Sequence, residues 1–221
     1  MADPRSTTPH LETYYAKRAR EYEQVYEKPE RQRELAWLRE RIPELFRGRT
    51  VLEVACGTGY WTQHIAKAAR KVHACDINEA VLEIAREKEV PPGSVEFFRA
   101  DAVSLEQVPH GCDGAFAGFW WSHVKKSELA LFVKNLSLKL EPGAVVGILD
   151  NTFTEWSSTP LSRRDAEGNT YQMRKLANGE QFEVMKNFPT KEELADLVRP
   201  VAAEAHLEEL TYYWLLVFTL K

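Results

Sequence analysis

Cysteine is scarce in this chain. The 221 residues carry three, Cys56, Cys75 and Cys112, and no C-x-x-C pair among them. This argues against a zinc knuckle or a thiol cluster and leaves all three as small buried side chains. Long apolar runs are lacking as well. No stretch of about 18 apolar residues exists that would span a bilayer. The polar opening Met1-Ala2-Asp3-Pro4-Arg5 lacks the apolar core of a signal peptide. The expected location is therefore the cytoplasm. Nor does one sign of charge dominate: 29 Lys and Arg stand interspersed against 33 Asp and Glu, for a net −4. Without a basic stripe, neither nucleic acid nor an anionic membrane is an expected partner. Repeats and low-complexity segments are missing too. What remains is the length and composition of one domain over residues 1–221 with a large core.

The pattern inside that length alternates. Short apolar strands at Val51–Val54, Val72–Cys75, Val95–Phe98, Ala115–Phe119 and Ala144–Leu149 are separated by segments of helical periodicity. Asn78 predicts an N-cap for one helix, and Thr190-Lys191-Glu192-Glu193 predicts a capping box for another. Such alternation implies an α/β fold with a mostly parallel sheet and helices on both faces. A charged helix is predicted from Leu11 to about Tyr26, followed by one opening at Pro29. Together, residues 1–45 read as an N-terminal helical lid. Residues 151–189 are too long for a routine connection and read as a cap inserted after strand five, with a small hairpin turning at Asn178-Gly179. Two closing strands follow, near Ala205–Leu210 and Tyr212–Leu220.

The first strand carries an acid and runs into a glycine-bracketed turn, Glu53-Val54-Ala55-Cys56-Gly57-Thr58-Gly59. The next strand ends on Asp76, where an acid can accept hydrogen bonds from a ribose. A dinucleotide site needs G-x-G-x-x-G/A, and the third position here is Thr62 after bulky Tyr60 and Trp61. That disfavours an NAD-binding oxidoreductase, as does the lack of a second domain. The spacing E-x-[GA]-x-G-x-G instead resembles the first motif of the class I S-adenosylmethionine (SAM) methyltransferases, with Ala55 in place of the first glycine. Leu140-Glu141-Pro142-Gly143 is similar to that family's L-x-P-G-G turn.

The resemblance implies a Rossmann-like, seven-stranded sheet of order 3-2-1-4-5-7-6, the seventh strand antiparallel. SAM would be the cofactor and S-adenosylhomocysteine (SAH) its product. Glu53, Ala55, Gly57, Gly59 and Trp61 would form the first loop around it, Asp76 would take the ribose hydroxyls and Ile77 would lie on the adenine. Asp101 and Ala102 follow strand three, where the adenine amino group is held, and Phe119 closes strand four. An aromatic residue of the N-terminal helix, Tyr14, would cover the cofactor.

The methyl acceptor would approach after strand four, at Gly118-Phe119-Trp120-Trp121-Ser122-His123. Three successive aromatics suit a flat heteroaromatic acceptor, and His123 is the candidate base or positioning group. Tyr15, Trp120, Trp121, Ser122, Asn151, Trp156 and Arg174 are the expected substrate contacts. Asp150-Asn151 resembles one leg of the Mg²⁺ site of catechol-type enzymes, but strand four ends without the second acid, so no metal is expected. Gly118–His123 and Ser157–Tyr171 also resemble bacterial enzymes that N-methylate azapteridine-type natural products. The expected activity is N- or O-methylation of a small planar metabolite by a monomer or homodimer. A C-methyltransferase of a quinone or polyketide, or a non-catalytic SAM-binding module, are the alternatives.

Overall fold

The computed structural model describes residues 9–221, with residues 9–12 as backbone only. The chain opens with α1 (Pro9–Arg18), which tightens into a 3-10 stretch over Ala19–Tyr26. A 3-10 turn at Pro29–Arg31 leads into α2 (Gln32–Leu45). The alternating body then follows: β1 (Thr50–Val54), α3 (Thr62–Ile65), β2 (Lys71–Asp76), α4 (Glu79–Arg86), β3 (Val95–Arg99), β4 (Cys112–Gly118), α5 (Leu129–Ser137) and β5 (Leu140–Asn151). Three short strands form the cap: β6 (Arg163–Arg164), β7 (Thr170–Lys175) and β8 (Gln181–Met185). Helix α6 (Lys191–Val198) and strands β9 (Ala202–Glu209) and β10 (Tyr213–Leu220) close the chain.

The main sheet runs β3-β2-β1-β4-β5-β10-β9, and the cap is a separate sheet, β6-β7-β8. With the cap strands set aside, this is the order 3-2-1-4-5-7-6 implied by the class I fold. β1 pairs in parallel with β2 on one side and β4 on the other, while β10 lies antiparallel between β5 and β9. The direction in which the chain adds strands therefore reverses at β1, the place where open α/β sheets bind ligands beyond their carboxyl ends.

Period-two alternation divides the core between the two faces. Leu52, Val54, Ala115, Ala117, Val146 and Ile148 pack with Phe132, Val133 and Leu136 of α5 and with Leu194 and Val198 of α6. Val51, Phe116, Leu149 and Leu215 pack on the other face with Leu35, Leu38 and Ile42 of α2 and Ile65 of α3. The edge strand β9 is mostly exposed and carries Glu204, His206, Glu208 and Glu209, charges that discourage pairing with another sheet edge.

Local signals form as their chemistry dictates. The Asn78 side chain accepts from the Ala80 N–H, and Thr190 and Glu193 close a reciprocal capping box. The hairpin of β7 and β8 turns around Asn178-Gly179, where Gly179 takes φ +91°. Two expectations change. Residues 32–45 do not belong to a lid, because three of their side chains are completely buried in the core. The helix predicted to run to Tyr26 stops at Arg18. Beyond it, Tyr22 and Tyr26 join an edge-to-face ladder from Tyr15 that ends in Tyr26 stacked on Tyr60 at 3.6 Å.

Candidate functional site

Two cavities adjoin at the carboxyl ends of β1, β2 and β4, each of roughly 750 Å³ including its open mouth. Tyr15, Tyr22, Phe119 and His123 line both, so these four side chains form the shared boundary.

The first cavity is built on the turn after β1. Ala55, Gly57 and Gly59 all take positive φ, at 52°, 56° and 76°. A Cβ on Gly59 would meet the backbone Cα of Ala85 at 3.2 Å, so the glycine lets α4 pack tightly against the loop. A Cβ on Gly57 would meet nothing within 4 Å, and the residue lines the cavity, which leaves room for close approach of a ligand. The Asp76 carboxylate ties the two strand ends together, accepting from Gly57 N at 3.0 Å and Asn78 N at 2.9 Å. Ile77 and Ala102 line the wall beside Asp101, whose Oδ1 accepts from Val103 N and Ser104 N at 2.8 Å. The acids facing this cavity are thus Asp76 and Asp101.

Glu53 lies beneath the loop rather than in the cavity wall, 2% exposed. Burial pushes its carboxyl up to about 8, with Thr62 opposing. Its Oε2 has no hydrogen-bond partner among the described residues. Trp61 also lies outside the wall. Its ring packs against Tyr26, Tyr60 and Phe116, and a Cβ on Gly118 would touch it at 3.1 Å. Trp61 is therefore a core residue supporting the end of β4, contrary to its expected contact with the cofactor.

The second cavity lies between the N-terminal segment, the cap and the end of β5. Tyr14 lines it, 2% exposed and packed on Phe182, Leu176 and Val184, and does not reach the first cavity. The aromatic at the cofactor-like cavity is Tyr15. Neighbouring helical residues point about 100° apart, so only one of the two tyrosines can face each way. Asn151, Arg174 and Gln172 line the second cavity, together with Arg18, Lys28, Arg31 and Lys186. Of these, sequence reasoning singled out only Asn151 and Arg174. Arg31 bridges the elements, donating to Ser157 Oγ at 2.9 Å and to Asn151 Oδ1 at 3.1 Å.

The three consecutive aromatics diverge. Phe119 sits at φ +58°, a strained conformation for a bulky residue, and lines both cavities. Trp120 lines the first. Trp121 is fully buried against Phe132 and Trp214 and touches neither cavity. Trp156 is 68% exposed and packs only edge-on against Tyr212. These two expected substrate contacts are corrected to core and surface positions.

Ser122 and His123 follow in a 3-10 turn bound on two sides. Asp150 is completely buried and accepts from Lys186 Nζ at 2.8 Å, Ser122 N at 2.9 Å and Asn151 N at 2.7 Å. Lys186 also donates to Ser122 Oγ at 2.7 Å. Ser122 thus holds the lysine and does not line either cavity. Burial alone would raise the Asp150 carboxyl, but the Lys186 charge and the donors around it hold it below its ordinary value. Burial lowers Lys186 against the pull of Asp150. The ammonium stands beside the carboxylate that resembled a metal leg.

His123 Nδ1 lies 2.7 Å from the carbonyl of Met185, which can only accept, so Nδ1 carries the proton. Nε2 is then the acceptor for the Tyr15 hydroxyl at 2.8 Å. Burial, with the nearby Lys186 charge, lowers the imidazole to about 3. Burial keeps the Tyr15 phenol protonated by raising it well above its ordinary value. Asn187 N donates to Ser122 O, and the Asn187 side chain joins Val124 and Asn169. The inner edge of the cap is therefore bonded into the core.

Comparison with known proteins agrees with this geometry. A methyltransferase domain family matches residues 51–143. Demethylmenaquinone methyltransferase of Staphylococcus aureus (strain JH9) is 31% identical over 109 residues, 48% of this chain and 44% of that protein. The chain spans less than half the length of the curated relatives it matches. Among solved structures, the DhpI-SAM-HEP complex superposes with a TM-score of 0.77 at 23% identity, covering 98% of this chain and 99% of that one. The PH0226 protein of Pyrococcus horikoshii OT3 gives 0.72 at 21% identity over 91% and 99%. Residues 51–143 thus match a methyltransferase domain family, and the chain shares the fold of these solved structures. Among the described residues, no helix is long and apolar enough to cross a membrane.

Proposed function

We propose that this protein is a SAM-dependent methyltransferase acting on a small molecule. The single observation that carries the reading is the pair of cavities meeting at Tyr15, Tyr22, Phe119 and His123, one built on the glycine turn and the other open to an acceptor. The residues of the first cavity fit SAM. Asp76 lies where ribose hydroxyls would be met, Ile77 and Ala102 give an apolar wall for adenine, and Gly57 leaves the backbone open to the methionine part. The buried Glu53 carboxyl beneath the loop is an acid near the amino-acid end. Tyr15 and Trp120 complete the wall, and an aromatic face beside a sulfonium contributes about 0.5–2 kcal/mol.

Bound SAM supplies an electrophilic methyl group on a cationic sulfur. Methyl transfer bonds the acceptor's lone pair to that carbon as the carbon–sulfur bond breaks and its electrons stay on sulfur. The neutral thioether leaves without help, so alignment supplies most of the rate. In this reading Tyr15 and Phe119 fix the line of approach. His123, neutral and bonded on both ring nitrogens, holds Tyr15 in place and is a positioning residue. The flat heteroaromatic acceptor loses much of its support, because its argument rested on three adjacent aromatics and Trp121 is core.

Calorimetry with SAM, SAH and NAD tests the assignment. SAM and SAH should bind and NAD should not. Asp76→Ala should weaken SAH by about 1–3 kcal/mol, partly through loss of the Gly57 and Asn78 anchors. NAD binding with no SAH binding would overturn the reading.

A further inference from the structure

The two cavities differ in charge. The first faces Asp76 and Asp101, whereas the second has five cationic side chains in its wall and no carboxylate. Lys186 is neutralised by Asp150. Arg18, Lys28, Arg31 and Arg174 are not: among the described residues, none of them forms an ion pair. Lys28 donates to the Ser157 carbonyl, Arg18 to the Tyr14 hydroxyl and Arg174 to Gln172 Oε1, all neutral groups. Glu30 accepts from Ser157 Oγ at 2.8 Å, and its carboxylate also acts electrostatically on Lys28 and Arg31.

Some of this charge has structural duties. Arg31, 6% exposed, lies over the rings of Tyr212 and Tyr213 and clamps Ser157. Arg18 lies over Tyr14 and Tyr22. Neither duty requires a cation at Arg174. That guanidinium is half-buried, lines the cavity and, among the described residues, makes one side-chain hydrogen bond out of its five donors. Burial is the main cause that lowers Lys28, Lys186 and His123, with the Arg174 charge a smaller contribution to each, and burial lowers Arg174 itself. Four like charges around one concavity are costly unless an anion joins them.

Resting on the methyl-transfer reading above, we infer that the acceptor is a small molecule bearing an ionised oxyanion, of the phosphoryl or carboxyl type, seated in the second cavity against Arg174, Lys28 and Arg18. Such a group suits guanidinium forks, which bind oxyanions through paired N–H donors. The same charge repels protonated amines and so selects against them as acceptors. The boundary with the first cavity offers no strong base, since His123 is depressed by burial and already bonded. An acceptor that arrives ionised needs none. Its negative charge also approaches a sulfonium across a half-buried boundary, where the attraction is screened less than in open water.

The experiment titrates inorganic phosphate, formate and chloride, at matched ionic strength, into the full-length protein saturated with SAH, read by calorimetry. Phosphate or formate should bind at least about tenfold more tightly than chloride. Arg174→Gln should weaken that binding about tenfold or more while SAH affinity stays within twofold. Preference for phosphate assigns a phosphoryl-type acceptor, and preference for formate a carboxyl-type one. Should Arg174→Gln fail to fold, Lys28→Gln makes the same test from the cavity's rim. Oxyanions that bind no better than chloride, or equally well in both variants, overturn the inference. Wild-type protein that fails to bind SAH would instead overturn the methyltransferase reading, and phosphate titrated without SAH would still report on the basic cavity.

Discussion

Replacing Lys186 with methionine isolates the buried ion pair that joins the cap to the sheet. Met keeps the length of the side chain and removes its charge. The variant loses the bonds to Asp150 Oδ1 and Ser122 Oγ and leaves a completely buried carboxylate with only backbone and Asn151 donors. Breaking one side of a buried pair costs about 3–5 kcal/mol. At about 2–4 °C per kcal/mol for a chain of this size, the melting midpoint should fall by about 6–20 °C at pH 7. The pH dependence supplies the sharper check. In the wild type, Asp150 is held below its ordinary value, so it contributes stability that is present above that value and lost as pH falls through the folded one. Without Lys186, burial dominates and the carboxyl rises above its ordinary value. The variant's deficit should then shrink on acidification from pH 7 to pH 5, as the stranded carboxylate takes up a proton. Adding Asp150→Asn should recover most of the loss, because no charge then stays buried. Scanning calorimetry of the three proteins at both pH values decides the matter. A loss below about 1 kcal/mol, or an equal loss at both pH values, would refute the assignment of this pair as a buried, ionised bridge.

Ala55→Gly should stabilise the protein by roughly 0.5–1 kcal/mol, since relief of the left-handed strain at φ +52° exceeds the added chain entropy. A lower denaturation midpoint would count against strain there. Glu53→Gln should flatten the stability profile: the wild-type carboxyl, raised to about 8, contributes stability that is full below the ordinary value and lost as pH rises through about 8. Melting curves of the two proteins that stay parallel from pH 5 to pH 8 would contradict this. His123→Gln should lower turnover far more than SAH affinity, and the wild-type kcat/KM should show no limb between pH 5 and 7 belonging to the imidazole, which lies at about 3. An acid limb near pH 6 that vanishes in the variant would make His123 a base after all.

The legible parts of this molecule are the ones whose causes are local. Alternating apolar strands, the Asn78 cap, the Thr190 box and the Asn178-Gly179 turn each depend on residues within a few positions of one another, and each forms where the sequence places it. The glycine turn was readable for the same reason, because its positive φ angles are a backbone requirement written in residue type. What local pattern does not fix is rotation. Tyr14 and Tyr15 both read as candidates for the cofactor side, yet the phase of α1 is set by Tyr14 docking on Phe182 and Val184, some 170 residues away. Trp120 and Trp121 pose the same problem, decided by Phe132 and Trp214.

The basic cavity is the extreme case. Its cations come from positions 18, 28, 31, 174 and 186, spread along the sequence, and only Arg174 is an expected contact in a chain of balanced composition. Net charge averages over the surface, whereas recognition depends on which charges share one concavity and which have been cancelled. Here the cancellation is selective: Asp150 neutralises Lys186 and in doing so fixes the turn that presents His123. The remaining cations face the cavity without an acid. A chain with a net charge of −4 thus carries a cation-rich pocket, because the cap contributes Arg174 to a wall that also holds Arg18 and Arg31 of the N-terminal segment. On the proposed reading, the cap would contribute to specificity electrostatically as much as sterically. The Lys17–Glu180 pair and the packing of Tyr14 on β8 join the cap to the N-terminal segment directly.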